Sequence, residues 1–363
     1  MPTPHILSTL QDGIVLMSSI KMQHQAQAVA RTLQHRGVPL EFALVEHVLF
    51  NNQETFVESP VNVRAKTVLL FQDFCGDPDK DFMRMSVTCD ALWNANVRSI
   101  ILITPFLPYT RQDRRSYKKR ESVAIKMIAN FMETNAAIDH LVTYDLHAPQ
   151  ITLAFNRIRV DNVPGHALFA PYIRQKFAGV LNDATVIDNT GDYGNLGGTS
   201  VVSTDVGGAK RARDFSITCG IKNEVAVIEK ERDTGGSRAI KLVGDVGRIA
   251  LIYDDMGDTM GSMINAYNMI KDRDGVEEVY AIVTHGILSP DEKSTAETKL
   301  KKSGLRLIMA DTIPRQSEYL KKYPNITVVP STDFMSEIIT ALISVNGSMT
   351  KAVHKWEQLS LAA

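Results

Sequence analysis

Short apolar runs alternate along the chain with longer stretches that show the helical spacing of apolar residues. The runs lie at residues 14–17, 68–71, 99–103, 141–143, 201–202, 225–228, 249–253, 279–283 and 305–310. Runs of this length are typical of buried strands, whereas stretches such as 24–34 and 167–177 place their apolar residues on one helical face. Strands that alternate with helices form mainly parallel sheets flanked by helices. The pattern therefore predicts an α/β fold.

The runs fall into two series, which indicates two domains. We expect an N-terminal α/β domain over residues 1–163 and a second α/β domain over residues 164–327. Residues 328–363 are expected to form a C-terminal segment that packs back on the N-terminal domain. Residues 183–199 are rich in Gly, Asn and Asp, a composition that predicts a surface loop.

Charge and cysteine content narrow the class of protein. The chain has 363 residues, with 40 Lys and Arg against 41 Asp and Glu, and a formal net charge of -1. This balance argues against nucleic acid or a membrane surface as a partner, so an anion site must come from a local cluster. The three cysteines lack metal or redox spacing. Together with the lack of a secretory signal or a membrane-length apolar run, they indicate a cytoplasmic protein.

Residues 249–263, IALIYDDMGDTMGSM, form the strongest candidate site. The apolar run leads into two adjacent carboxylates, Asp254 and Asp255, and a turn rich in Gly, Asp and hydroxyl residues precedes a helix-like stretch. In an α/β sheet a ligand lies off the carboxyl ends of the strands, where helix N–H groups meet an anion. The acids can accept from sugar hydroxyls or hold a divalent cation. The same pattern also occurs as ordinary strand-and-turn structure.

Four more polar clusters follow or continue apolar runs. They lie at residues 105–120, which include TRQDRR, and at 144–147 (YDLH), 204–211 (TDVGGAKR) and 227–236 (VIEKERDTGG). The first is dense enough in Arg and Lys to bind a polyphosphate, and His147 in the second suits a metal or a phosphate. Asp205 suits a hard cation, and Lys230 and Arg232 on a closing loop would neutralise phosphoryl charge. A solvated basic loop, a hydrogen-bonded histidine and an exposed strand edge are the structural alternatives.

Taken in order, these motifs closely resemble one family, the ribose-phosphate diphosphokinases or phosphoribosyl-diphosphate synthetases. The matching segments are PYTRQDRR, YDLHAPQ, VDN, STDVGGAKR, VIEKERD, GDV, IYDDMGDT, VTHGILS and DTIP, within residues 13–345. The resemblance implies two phosphoribosyltransferase-like (Rossmann-like) domains. It also implies Mg²⁺-dependent transfer of the diphosphoryl group of ATP to the anomeric hydroxyl of ribose 5-phosphate, giving phosphoribosyl diphosphate and AMP. A homo-oligomer, hexameric or otherwise dimer-based, is a further implication.

The resemblance implies roles for individual residues as well. Lys230 and Arg232 would be catalytic and would stabilise the transferring group. ATP would contact Phe50, Asn52, Glu54, Arg111, Gln112, Asp113 and His147. The ribose phosphate would contact Asp254, Asp255, Asp258, Thr259, Met260, Gly261 and Ser262. His147 and Asp205 would hold Mg²⁺.

Three departures from the family pattern leave alternatives open. Asn52 replaces an acid of the adenine loop, and residues 17–19 replace a glycine-containing turn. Met260 and Ser262 alter the turn expected to bind the 5-phosphate, which admits a 5-phosphate ester such as ADP-ribose as acceptor of the same group. A phosphoribosyltransferase and a non-catalytic regulatory subunit rank lower. The first would not need the basic cluster, and the second would not need Lys230.

Overall fold

The structure is a computed structural model, and it describes residues 13–179, 181, 198–233, 236–292, 294–344 and 346–359. Nearly all of the surface loop expected at residues 183–199 lies outside these residues. The chain divides into two compact units. The first comprises Met1–Pro164 and Ser331–Val353, and the second comprises Gly165–Pro330 and His354–Ala363.

The described strands and helices alternate along most of the chain. The strands are β1 (Ile14–Ser19), β2 (Leu40–Val45), β3 (Val48–Leu49), β4 (Thr55–Phe56), β5 (Thr67–Phe71), β6 (Ser99–Ile103), β7 (His140–Tyr144), β8 (Arg159–Val163), β9 (Thr199–Ser203), β10 (Ala226–Asp233), β11 (Gly236–Val243), β12 (Ile249–Gly257), β13 (Glu278–Gly286), β14 (Arg306–Ala310) and β15 (Ile326–Val329). The α-helices are α1 (Gln23–His35), α2 (Pro78–Asn94), α3 (Ala124–Thr134), α4 (Gly165–Lys176), α5 (Ala209–Cys219), α6 (Gly261–Ile270), α7 (Ala296–Ser303), α8 (Ser317–Lys322), α9 (Thr332–Ile343) and α10 (Met349–Glu357). Short 3-10 helices lie at Ile20–Met22 and Pro149–Ala154.

The first unit is built on a parallel sheet with the strand order β2-β1-β5-β6-β7-β8. All six residues of β1 are buried, as expected for a strand covered on both faces. Val15 and Met17 lie in one core with Met85 of α2 and Ile128 of α3. The strands β3 and β4 form a separate antiparallel pair.

The second unit is built on a sheet with the order β11-β10-β9-β12-β13-β14-β15. Its pairings are parallel except for the antiparallel pair of β10 and β11, whose register shifts between Glu229 and Lys230. The pairing of β10 with β9 covers Ala226 and Val227, and at Lys230 the strand pairs with β11. The Lys230 side chain is 15% exposed, so it does not face solvent as a residue of an exposed edge would. The predicted α/β class with mainly parallel sheets is confirmed.

Helix α9 completes the first unit after the chain has passed through the second. Phe334 of α9 is fully buried, and its ring lies 6.0 Å from that of Tyr144 at the end of β7. Arg36, just after α1, bonds Glu337 at 2.9 Å and Thr340 at 3.1 Å. The two units divide between Pro164 and Gly165 and between Pro330 and Ser331, and His354–Ala363 belong to the second unit.

Among the described helices, none is long and apolar enough to cross a membrane.

Candidate active site

A network of hydrogen bonds holds the two adjacent acids of the second unit. Asp254 and Asp255 lie inside β12 rather than after its end, since the strand continues to Gly257. Thr204, directly after the neighbouring strand β9, donates its hydroxyl to Asp254 Oδ2 at 2.7 Å. Arg211 of α5 donates from Nη1 to Asp254 Oδ1 at 3.1 Å and to Asp255 Oδ1 at 3.0 Å. One guanidinium therefore orients both carboxylates.

The surroundings of Asp254 raise the pKa of its carboxyl group. Burial raises the pKa of Asp254 to about 7, and the charge of Asp255 and a hydrogen bond from it add to the shift. The bonds from Thr204 and Arg211 act in the opposite direction. Asp255 is 2% exposed, so the pair holds its negative charge away from bulk water. Such a pair is stabilised by a ligand that brings hydroxyl donors or a cation.

The turn between β12 and α6 is shaped by Met260. This residue has a φ of 61°, in the left-handed region that favours glycine, and it precedes the first residue of α6. Its side chain is 3% exposed and belongs to the hydrophobic core of the unit, together with Val283. A Cβ added to Gly257 would lie 2.6 Å from Met260 Sδ, so the glycine makes room for the methionine. The bulk of Met260 is thus accommodated inside the unit.

Lys230 connects the loop after β9 to the first turn of α6. Its Nζ lies 3.5 Å from Asp205 Oδ2 and donates to Ser262 Oγ at 3.2 Å. Asp205 follows β9, and its other carboxylate oxygen accepts the Gly208 N–H at 2.9 Å. Gly208 therefore orients Asp205 by a backbone hydrogen bond. Lys230 is 15% exposed in its side chain and Asp205 is 42% exposed.

For Arg232 the structure describes the backbone, which pairs with Ser237 of β11. The predicted catalytic role of its side chain lies outside the described residues.

In the first unit, the basic cluster follows β6. Arg111 and Gln112 are exposed, and Asp113 is partly buried with Arg114 Nε 3.9 Å away. The Gln112 N–H donates to the Tyr109 carbonyl at 2.9 Å, and its side-chain Oε1 accepts from Ser122 at 3.1 Å. Hydrogen bonds within the loop therefore fix the start of this basic segment, while its charged side chains face solvent. A polyphosphate site requires charged groups that are accessible in this way.

His147 follows β7 in a braced turn. Asp145 has a φ of 40°, and its N–H donates to the Val163 carbonyl of β8 at 2.9 Å. The Leu146 N–H donates to Asn162 Oδ1 at 2.9 Å. The VDN motif of β8 thus holds the loop that presents the partly buried His147.

The segment Phe50 to Glu54 forms the turn between β3 and β4. The Phe50 N–H donates to the Glu54 carbonyl at 2.9 Å, and Asn52 Oδ1 accepts the Glu54 N–H at 3.2 Å. Phe50 is 50% exposed, and its ring lies 5.6 Å from that of Phe56. The amide of Asn52, which replaces an acid of the resembled family, therefore stabilises the turn.

The structure brings several sequence-predicted residues together within the second unit. Asp205 and Ser262 share the ammonium of Lys230, and Asp254 and Asp255 share the guanidinium of Arg211. Thr204, the residue before Asp205, bonds Asp254. The predicted ATP contacts, with His147, belong to the first unit. The roles of Thr204 and Arg211 were not predicted from the sequence, although both residues lie in the TDVGGAKR cluster. The described residues contain no group of three His, Cys, Asp or Glu that could hold a metal.

Parallel sheets with an acid pair near a helix start define an α/β protein of the kind that binds a ligand at the carboxyl ends of its strands. Comparisons with known proteins agree. Residues 14–135 match the N-terminal domain of ribose phosphate pyrophosphokinase, and residues 213–353 match the phosphoribosyl synthetase-associated domain. The chain belongs to the ribose-phosphate pyrophosphokinase family.

Individual relatives support this membership over most of the chain. The chain is 32% identical to the ribose-phosphate pyrophosphokinase of Cereibacter sphaeroides over 317 residues, covering 86% of this chain and 87% of that protein. It is 36% identical to ribose-phosphate pyrophosphokinase A of Dictyostelium discoideum over 294 residues, covering 80% and 84%. The crystal structure of phosphoribosylpyrophosphate synthetase from Mycobacterium smegmatis is similar, with a TM-score of 0.75, 27% identity and coverage of 91% and 98%.

Proposed function

We propose that the protein transfers the diphosphoryl group of ATP to the anomeric hydroxyl of ribose 5-phosphate, giving phosphoribosyl diphosphate and AMP. The observation that carries this proposal is the placement of Lys230, which contacts both Asp205 and Ser262. A cation in this position lies between a carboxylate suited to a metal–phosphate complex and a turn suited to a sugar phosphate. Family membership supports the same reaction.

The sugar-phosphate subsite is assigned to the second unit. Asp254 and Asp255, oriented by Arg211, would accept hydrogen bonds from the ribose hydroxyls. The 5-phosphate would lie at the start of α6, where backbone N–H groups and the helix dipole favour an anion. The residues of this turn are Asp258, Thr259, Met260, Gly261 and Ser262.

The ATP contacts are assigned to the first unit. Arg111 and Gln112 would hold the phosphates, with Asp113 and His147 beside them. Phe50 offers an exposed ring for adenine, and Glu54 and Asn52 offer polar groups on the same turn.

In the reaction, the anomeric oxygen forms a bond to the β-phosphorus. The bond from that phosphorus to the bridging oxygen of the α-phosphate breaks, the hydroxyl proton is released and AMP leaves. Such transfers depend on positioning and on neutralising phosphoryl charge rather than on covalent catalysis. Lys230 would supply the positive charge that neutralises the phosphoryl group, with Arg232 as its proposed partner.

Mg²⁺ fits Asp205, because this ion prefers carboxylate oxygens and shares its remaining positions with water and substrate phosphates. The Asp205 carboxylate is 42% exposed and is oriented by the Gly208 N–H. We propose Asp205 and His147 as the residues that contribute to Mg²⁺ binding. When bound, the ion would neutralise phosphate charge.

The alternative acceptor, a 5-phosphate ester such as ADP-ribose, was suggested by Met260 and Ser262. Because the Met260 side chain lies in the core, this substitution gives no reason to expect a larger acceptor. The lower-ranked classes, a phosphoribosyltransferase and a regulatory subunit, are disfavoured by family membership and by the contacts of Lys230. We also infer a cytoplasmic homo-oligomer, hexameric or otherwise dimer-based, from the family resemblance.

The proposal is tested by incubating the purified protein with ATP, Mg²⁺ and either ribose 5-phosphate or ADP-ribose, followed by chromatography of the nucleotides. We expect ribose 5-phosphate to release AMP and phosphoribosyl diphosphate in equal amounts. Release of ADP would indicate transfer of a single phosphoryl group and would contradict the proposal. Turnover with ADP-ribose and none with ribose 5-phosphate would establish the alternative acceptor.

A further inference from the structure

We propose that Lys299 is a positioning residue for the sugar-phosphate turn. Its ammonium holds the carbonyl of Thr259 and so directs the N–H of Met260 toward the bound phosphate. The inference rests on the proposed function, since it assigns a support to the same subsite. Lys299 lies on α7, outside every motif that the sequence analysis singled out.

The contact joins two elements that are separate in sequence. Lys299 Nζ donates to the Thr259 carbonyl oxygen at 3.2 Å, across 40 positions of the chain. The same ammonium is paired with the Asp291 carboxylate, and its side chain is 21% exposed. A partly buried ammonium is costly unless it is paired and hydrogen-bonded, so both partners hold the side chain in one place.

The direction of the Met260 N–H follows from the geometry of the peptide bond. In a trans peptide the C=O and the N–H of the next residue point in opposite directions. Among the described residues no peptide bond is cis. With the Thr259 carbonyl turned toward Lys299, the Met260 N–H must point away from α7.

A second carbonyl near the turn is also held by a hydrogen bond. The Leu288 N–H, just after β13, donates to the Gly257 carbonyl at 3.0 Å. The segment that carries Leu288 is itself held by Arg315, whose Nη2 donates to the carbonyls of Gly286 at 2.6 Å and Ile287 at 2.9 Å. The carbonyls of Gly257 and Thr259 are therefore both hydrogen-bonded on the side of the turn that supports it. A carbonyl turned toward the phosphate instead would repel it.

The turn needs this external support because of its backbone conformation. Met260 is not glycine, and a residue with a side chain is strained at its φ of 61°. Such conformations persist where the surroundings over-determine them. The buried Met260 side chain holds one end of the peptide, and Lys299 holds the carbonyl at the other.

The test compares three variants by steady-state kinetics and by calorimetric titration with ribose 5-phosphate in the absence of ATP. Lys299→Met keeps the apolar stem and removes the donor, Lys299→Arg keeps a charged donor, and Lys302→Met changes an exposed lysine of the same helix. For Lys299→Met we expect the KM and the Kd for ribose 5-phosphate to rise about tenfold, the effect of losing one positioned hydrogen bond. The kcat, the KM for ATP and the melting temperature should change little. Lys299→Arg should recover most of the affinity, and Lys302→Met should match the unmodified protein.

The outcomes separate the inference from the function on which it rests. If the unmodified protein neither binds nor converts ribose 5-phosphate, the proposed function fails. If it does both, and Lys299→Met keeps the same KM and Kd, the positioning role is wrong. A fall in melting temperature accompanied by equal losses for both substrates would assign Lys299 a general structural role and would also overturn the inference.

Discussion

Lys230 contacts two segments that lie far apart in the sequence. The motif around it indicated a cation near phosphate, but its pairing with Asp205 and Ser262 depends on where the neighbouring elements lie. Asp205 follows β9, and Ser262 lies in the first turn of α6. Strand pairing and helix position, which are not local properties of the motif, therefore bring both residues to Lys230.

Replacing Lys230 by methionine is expected to lower kcat by about 10²–10³-fold, the usual effect of removing one preorganised donor to developing charge. The KM for ribose 5-phosphate should rise less. Rates of AMP release measured by chromatography would check this. Lys241→Met, which changes an exposed lysine of β11, is the matched control. Equal rates in the two variants would remove Lys230 from the catalytic assignment.

The raised pKa of Asp254 predicts a pH dependence of stability. A carboxyl whose pKa is higher in the folded state binds more protons there than in the unfolded chain, so the free energy of unfolding falls as pH rises. The window runs from the ordinary value of 3.8 to about 7. Urea unfolding at about pH 5 and about pH 7.5 should show that the unmodified protein loses more stability across this window than Asp254→Asn does. The same loss in both proteins would contradict the assignment.

At the scale of elements, α7 contacts the turn before α6 through Lys299 and depends on its own capping. Thr295 precedes the helix, and its hydroxyl accepts the Thr298 N–H at 3.2 Å. Gly304 follows it with a φ of 80°, as is usual after a helix end. The short helix that carries Lys299 thus begins and ends at residues of predictable type.

Thr295→Ala should lower the free energy of unfolding by about 1 kcal/mol, because it removes the side-chain acceptor of an N-cap. Thr295→Ser keeps the hydroxyl and should lose much less. Urea denaturation followed by circular dichroism would measure both. A Thr295→Ala variant as stable as the unmodified protein would show that the cap contributes nothing to the unit.

At the scale of the whole molecule, the first unit is completed by a segment that follows the second unit in the chain. The α9 helix contributes buried apolar side chains and the ion pair of Arg36 with Glu337. The amphipathic pattern of α9 is local, but the choice of its packing partner is not. The stability of the first unit therefore depends on residues more than 160 positions beyond its β8 strand.

Phe334→Ala should destabilise the first unit by about 3–5 kcal/mol, the cost of emptying a buried aromatic site. Hydrogen exchange would locate the effect, with faster exchange for amides of β1 and β5 than for those of β12 and β13. Trp93→Ala removes an aromatic side chain of the same unit that is 62% exposed, and should have little effect. Uniform loss of protection in both units would contradict this assignment.

Apolar patterning predicted the strands that carry the site, because burial of a short run is a local property. Residues 99–103 coincide with β6, and residues 249–253 begin β12. The edge strands β2, β8, β11 and β15 were not predicted. The residues of β2 and β15 are partly exposed, and β11 carries several polar side chains. Both features weaken the apolar periodicity by which a strand is predicted.

The sequence alone determined the alternation of strands and helices, the motifs that place the chain in its family, and the acids and basic residues offered for chemistry. These features depend on local composition and spacing. The tertiary structure decided which of them meet: Arg211 reaches Asp254 and Asp255 because β9 pairs with β12, and Lys299 reaches Thr259 across 40 positions. Strand order and helix packing are set by burial summed over a whole unit, so a contact between distant residues cannot be deduced from the residues that make it.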